Sequence, residues 1–139
     1  MEVSDVRKRL LATIERARRQ AAERRARNDE ATRTFDRLLS TVAIPLFRQV
    51  AGVLRSEQHL FTVFTPSSSV RLSSDRSAED FVEMFLDTTG DTPSVIGHTS
   101  RNRGHRVIEA EQIIGAPDTL TEAEMLEFLL KAIEVFVER

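Results

Sequence analysis

Residues 3–42 read VSDVRKRLLATIERARRQAAERRARNDEATRTFDRLLSTV, and the fold turns on how this stretch is understood. Alternating steps of four and three from Val3 reach Arg7, Leu10, Ile14, Ala17, Ala21, Arg24, Asn28, Ala31, Phe35, Leu38 and Val42. A 3.5-residue period held this long favours helices that wrap on one another. No Pro or Gly interrupts it, and Ala and Arg, both strong helix formers, fill it. At ~1.5 Å per residue the helix would be roughly 60 Å long, more than a compact domain of this size requires.

The seam is uneven. Leu10 and Ile14 anchor one end and Phe35, Leu38 and Val42 the other, while Ala17, Ala21 and Ala31 admit a close neighbour. Arg7, Arg24 and Asn28 interrupt it, and a seam Asn can fix register at a cost in stability. The pattern predicts an oligomer interface over Leu10, Ile14, Ala17, Ala21, Asn28, Ala31, Phe35 and Leu38. A helix lying along its own sheet, with a solvated middle, is the plainer alternative.

Outward from this segment, Ser4 followed by Asp5 suits a helix start, with an acid near the positive end of the dipole. Asp29 and Arg33 fall at favourable i,i+4 spacing. Pro45 should end or kink the helix, because it lacks a donor and crowds the preceding turn. Leu46, Phe47, Val50, Ala51 and Leu54 then resume helical spacing and predict a short second helix over about 45–55. From His59 the period falls to two: Leu60–Thr65 is apolar on both faces and reads as a central strand, and Val70–Leu72 is a half-exposed partner strand. Residues 81–86 fit either a strand or a capped helix, and their shortness between two strand signals favours strand.

The hairpin 95–114 has Gly104 near its tip. A three-residue loop closed by a Gly bulge would pair Arg101 with His105 and His98 with Ile108. That register puts Ile96, His98, Ile108 and Ala110 on one face and Val107, Glu109 and Glu111 on the other. Thr121 and Glu124 form a capping box for a last helix, bracketed by Leu120 and Met125. Met125, Leu129, Ile133 and Phe136 make its main stripe, Leu126, Leu130 and Val137 widen it, and Phe128 falls outside. An arc that wide exceeds what one sheet face needs, so this helix should also lend a flank to a neighbour.

The whole predicts an α+β, two-layer chain: a long N-terminal helix, a short second helix, a meander sheet of four or five antiparallel strands, and a closing helix. Residues 1–42 form the rod and 43–139 the body, within one domain. Cysteine is absent, which removes disulfides, thiolate metal sites and thiol nucleophiles together. The lack of a leader pattern or a membrane-length apolar run gives the expectation of a soluble, cytoplasmic protein. The net charge of −2 hides an asymmetry. Residues 1–37 hold eleven Arg or Lys against seven acids, +4, which leaves −6 for the remainder.

No phosphate loop, dinucleotide fingerprint, paired-His helix or nucleophile elbow is present, and neither catalytic residues, a cofactor nor a metal site is predicted. His98 and His105 fall on opposite faces in the bulged register; a two-residue loop would bring them nearer Glu109. Glu83, Asp87, Glu109 and Glu111 fit a solvated sheet face better than a catalytic pair. Arg101, Arg103, His105 and Arg106 form a basic tip suited to an anion or nucleic acid, though no Trp or Tyr offers a stacking platform. The expected function is a non-enzymatic, self-associating scaffold or adaptor, a homodimer or higher homo-oligomer with room for another protein partner. Nucleic-acid binding through the Arg-rich helix and the tip is the alternative. A small-ligand protein or enzyme with a pocket between sheet and helices comes third.

Overall fold

The heptad-patterned segment is helical throughout, and it runs further than its own repeat. The computed structural model describes residues 1–138. Helix α1 spans Val3–Leu38, passes through a π-helical turn at Leu39–Ala43, and continues as α2, Ile44–Ser56. The second helix is therefore present, but no coil separates it from the first. Pro45 sits in the first turn of α2, but because the helix runs on from the preceding turn its missing N–H leaves a gap in the ladder. Just before it the ladder widens, with the Ile44 N–H donating to the Leu39 carbonyl. The hydroxyls of Thr41 and Ser40 donate to the Arg37 carbonyl at 2.6 and 3.2 Å. Such side-chain bonds accompany loosened helical ladders, so the strain of the proline is taken up without a break. At the other end Glu2, not Ser4, occupies the cap, and no side chain bonds there. Arg33 pairs with Glu30 rather than Asp29.

Five antiparallel strands follow in meander order: β1 (Phe61–Phe64), β2 (Ser69–Ser74), β3 (Phe81–Asp87), β4 (Ser94–Arg103) and β5 (Arg106–Gly115). The ambiguous residues 81–86 are thus strand, β1 lies at the sheet edge rather than its centre, and Val70 and Leu72 of β2 are fully buried. Helix α3, Glu122–Val137, closes the chain with its capping box formed: the Glu124 N–H donates to the Thr121 hydroxyl, and the Thr121 N–H to the Glu124 carboxylate.

Alternation fixes the core. Val63, Leu72 and Val82 share one row of the sheet, and Val70 and Met84 the next. Onto this face pack Phe35, Leu39, Ala43 and Phe47 from the long helix and Met125, Leu129, Ile133 and Phe136 from α3. Phe128 joins them, contrary to expectation. Gly97 in β4 has no side chain, and the Phe128 ring occupies the space a Cβ would need. The 54-residue helix contains one 18-residue window, of mean hydropathy 1.3, long and apolar enough to cross a membrane. Of that window 33% is buried; in α2, Leu46 and Phe47 lie in the core, while Val53 is 64% exposed.

The β4–β5 register differs from the sequence expectation. Arg103 pairs with Arg106, leaving a two-residue turn, and Gly104 adopts φ +68° at its first position. Glycine there is the signature of the tightest hairpin class. Shifting register by one residue moves every side chain of a strand to the other face. Accordingly His98 lies across from Glu111, while Ile108 and Ala110 turn to the helix-bearing face opposite Arg101 and Thr99.

Candidate functional site

The structure divides the seam of the N-terminal helix in two. Phe35 is 1% exposed and Ala31 is buried, both against the body of their own chain. Leu38 and Asn28 are half-buried. Near Ala31 the helix passes the Thr92-Pro93 and Ala116-Pro117 loops, with a groove of about 490 Å³ between them. Beyond this point the body stops. Every residue from Met1 to Gln20 is exposed, Leu10 at 56% and Ile14 at 37%. Ala17 shares that exposure and Ala21 is half-covered. The 23 residues from Val3 to Arg25 therefore project by roughly 35 Å at ~1.5 Å per residue.

A lone helix of this length is marginal in water unless an apolar face is covered. Here Val3, Val6, Leu10, Leu11 and Ile14 all face solvent. The projection also concentrates charge. Residues 1–25 carry eight Arg or Lys against four acids, +4.

The basic tip is only partly gathered. Arg103, His105 and Arg106 are exposed at the turn. By register Arg101, Arg103 and Arg106 belong to the helix-bearing face, and Arg101 joins Lys131 of α3 in lining a groove of about 310 Å³. Phe128, Phe136 and Ile108 also line it. Arg103 directly opposite Arg106 is a like-charge pair, unfavourable without a counter-ion.

On the opposite face of the sheet the polar residues are engaged with one another. The Arg71 guanidinium donates to the Glu83 carboxylate and lies 4.0 Å from the centre of the Phe81 ring. His98 meets the same ring edge-on at 5.3 Å, with its Nε2 3.3 Å from Glu109 Oε1. Asp87 accepts from the Thr89 hydroxyl and N–H, which holds its carboxyl below the ordinary aspartate value. Register puts Glu83, Asp87, Glu109 and Glu111 on this face, yet three of the four already have partners. His59 lies apart, its N–H closing the end of α2 on the Leu54 carbonyl. Among the described residues no group of three or more His, Asp or Glu is arranged to hold a metal ion.

The flank of α3 is a surface that sequence reasoning half identified. Leu126 and Leu130, one turn apart, remain 36% and 51% exposed. Their apolar stripe shows in the sequence as excess arc, and Glu122, Glu127 and Glu134 of the same helix are exposed as well. No protein-family model, curated protein or solved structure matches this chain.

Proposed function

We propose that this protein is a non-enzymatic, self-associating scaffold or adaptor whose N-terminal helix is its association surface. One observation carries the reading: about 35 Å of helix with an apolar stripe leaves the body with nothing of its own chain against it. Ala31 and Phe35 already serve the intrachain core, which narrows the association surface to Leu10, Ile14, Ala17 and Ala21 with their neighbours. Exposed apolar surface of this kind marks association sites.

The test is solution mass. The wild-type chain is expected at a multiple of 15.8 kDa by light scattering. Leu10→Glu with Ile14→Glu is expected to lower that mass while leaving the body folded, since neither side chain contributes to the core. A single-copy mass for the wild type at every concentration overturns the reading. A second reading, nucleic-acid binding, is favoured by the exposed cations of the same helix and of the 103–106 turn. Its test is binding to duplex and single-stranded DNA at two salt concentrations, because phosphate contacts strengthen as salt falls. No binding at low salt overturns it.

A further inference from the structure

Two exposed surfaces of this chain are chemical opposites. In the heptad frame, the contact positions (a, d, e and g) between Val3 and Arg27 hold Arg7, Arg18, Arg24, Arg25 and Arg27. They hold no carboxylate, because Asp5, Glu15 and Glu23 fall on the back of the helix. Two such helices laid seam to seam would set positive charge against positive charge, and coiled coils choose partners by opposite charge at those positions. The receiving surface should therefore be acidic as well as apolar.

Helix α3 offers both. It carries four Glu against one Lys. At 100° per residue, Glu122 lies to one side of the Leu126–Leu130 pair and Glu134 and Glu127 to the other. Lys131 turns away, into the groove it shares with Arg101. The helix cannot fold back to reach this flank in its own chain. It is unbroken from Val3, and Leu10 lies roughly 24 Å beyond Ala26, where contact with the body begins.

We infer that the Leu10–Ile14 stretch of one copy seats on the Leu126–Leu130 flank of α3 in a second copy, its arginines facing Glu122, Glu127 and Glu134. The inference rests on the self-association reading and names the surface that receives the helix. Nucleic acid would satisfy the arginines but leave the leucines against phosphate and water, whereas α3 covers both.

Charge reversal tests it on the full-length chain. Arg18, Arg25, Glu127 and Glu134 are all exposed, so R18E/R25E and E127R/E134R should leave the body folded and its unfolding cooperative. In sedimentation velocity at low salt, each variant alone is expected to associate about ten-fold more weakly, or worse. An equimolar mixture is expected to regain association, since each reversed surface then meets its opposite. The uncharged variant L126S/L130S should weaken association on its own. Wild-type association by both E127R/E134R and L126S/L130S overturns the inference while self-association through the helix stands. A wild-type chain that never exceeds 15.8 kDa overturns both. Duplex DNA captured by the wild type and lost in R18E/R25E, with mass unaffected by the α3 variants, replaces the protein partner with nucleic acid.

Discussion

Gly97→Ala is the smallest change that probes how α3 is seated. A Cβ built on Gly97 would lie 2.4 Å from Phe128 Cε1, 2.5 Å from Cζ and 2.9 Å from Cδ1. Ordinary contact needs roughly another ångström, and three ring atoms are implicated, so rotation about one bond cannot clear it. Phe128 is 5% exposed and sits among packed neighbours, so its retreat must move α3 or the strand. Overpacking of this kind costs about 1–3 kcal/mol. Restricting the unfolded chain by Gly→Ala returns about 0.5–1 kcal/mol. The expected net loss is about 1–2 kcal/mol, or roughly 3–10 °C in Tm for a chain of this length. Urea unfolding should be run on the Leu10→Glu/Ile14→Glu background, since any association of copies would make apparent stability concentration-dependent. The m-value should not change. Phe128→Leu removes the offending ring edge, so Gly97→Ala on that background should be nearly neutral, a coupling of about 1 kcal/mol or more. The same loss with and without Phe128, or no loss at all, would refute the close-approach reasoning.

Two further outcomes follow from local chemistry. Thr121→Ala removes the hydroxyl that accepts from the Glu124 N–H and donates to its carboxylate, leaving only the backbone half of the capping box, and should cost about 1 kcal/mol in urea titrations; an unchanged midpoint would show that the cap is redundant. Gln58→Gly should stabilise by roughly 0.5–1 kcal/mol in the same assay, since Gln58 closes α2 at φ +72°, where a side chain is unfavourable. A loss would mean that the Gln58 side chain holds something of greater value.

The closing helix was legible because its signals are local. A cap at Thr121 and a stripe through Met125, Leu129 and Ile133 need no knowledge of what they face. Phe128 was misplaced for the converse reason. Its position depends on a missing Cβ some thirty residues away, and nothing in the periodicity of α3 records that. The β5 faces went the same way: the choice between a two-residue and a three-residue turn at Gly104 is worth little energy locally, yet it decides where Glu109, Glu111 and Ile108 lie. Pro45 illustrates a third failure. Its breaking power was read correctly for a helix free to stop, but Phe35 and Phe47, on either side, must both reach the core. Burying both rings keeps the helix continuous and leaves the π turn as the accommodation.

A 3.5-residue repeat states that a seam needs covering, and it is silent on what covers it. Between Ala31 and Leu38 the cover is intrachain: the Pro93 and Pro117 loops flank Ala31, and the sheet core takes Phe35. Between Val3 and Ala21 the repeat continues unchanged in spacing and the cover is missing. Charge is what separates these two halves of one pattern. The proximal half needs no counter-ions because it is sealed by apolar contacts, whereas the distal half surrounds its leucines with arginine and puts its acids behind. A helix built to pair with its own copy would gain from mixing both signs along its edges. One rimmed by a single sign is suited to a surface of the opposite sign, and within this chain the exposed leucines of α3 are the ones that glutamates flank.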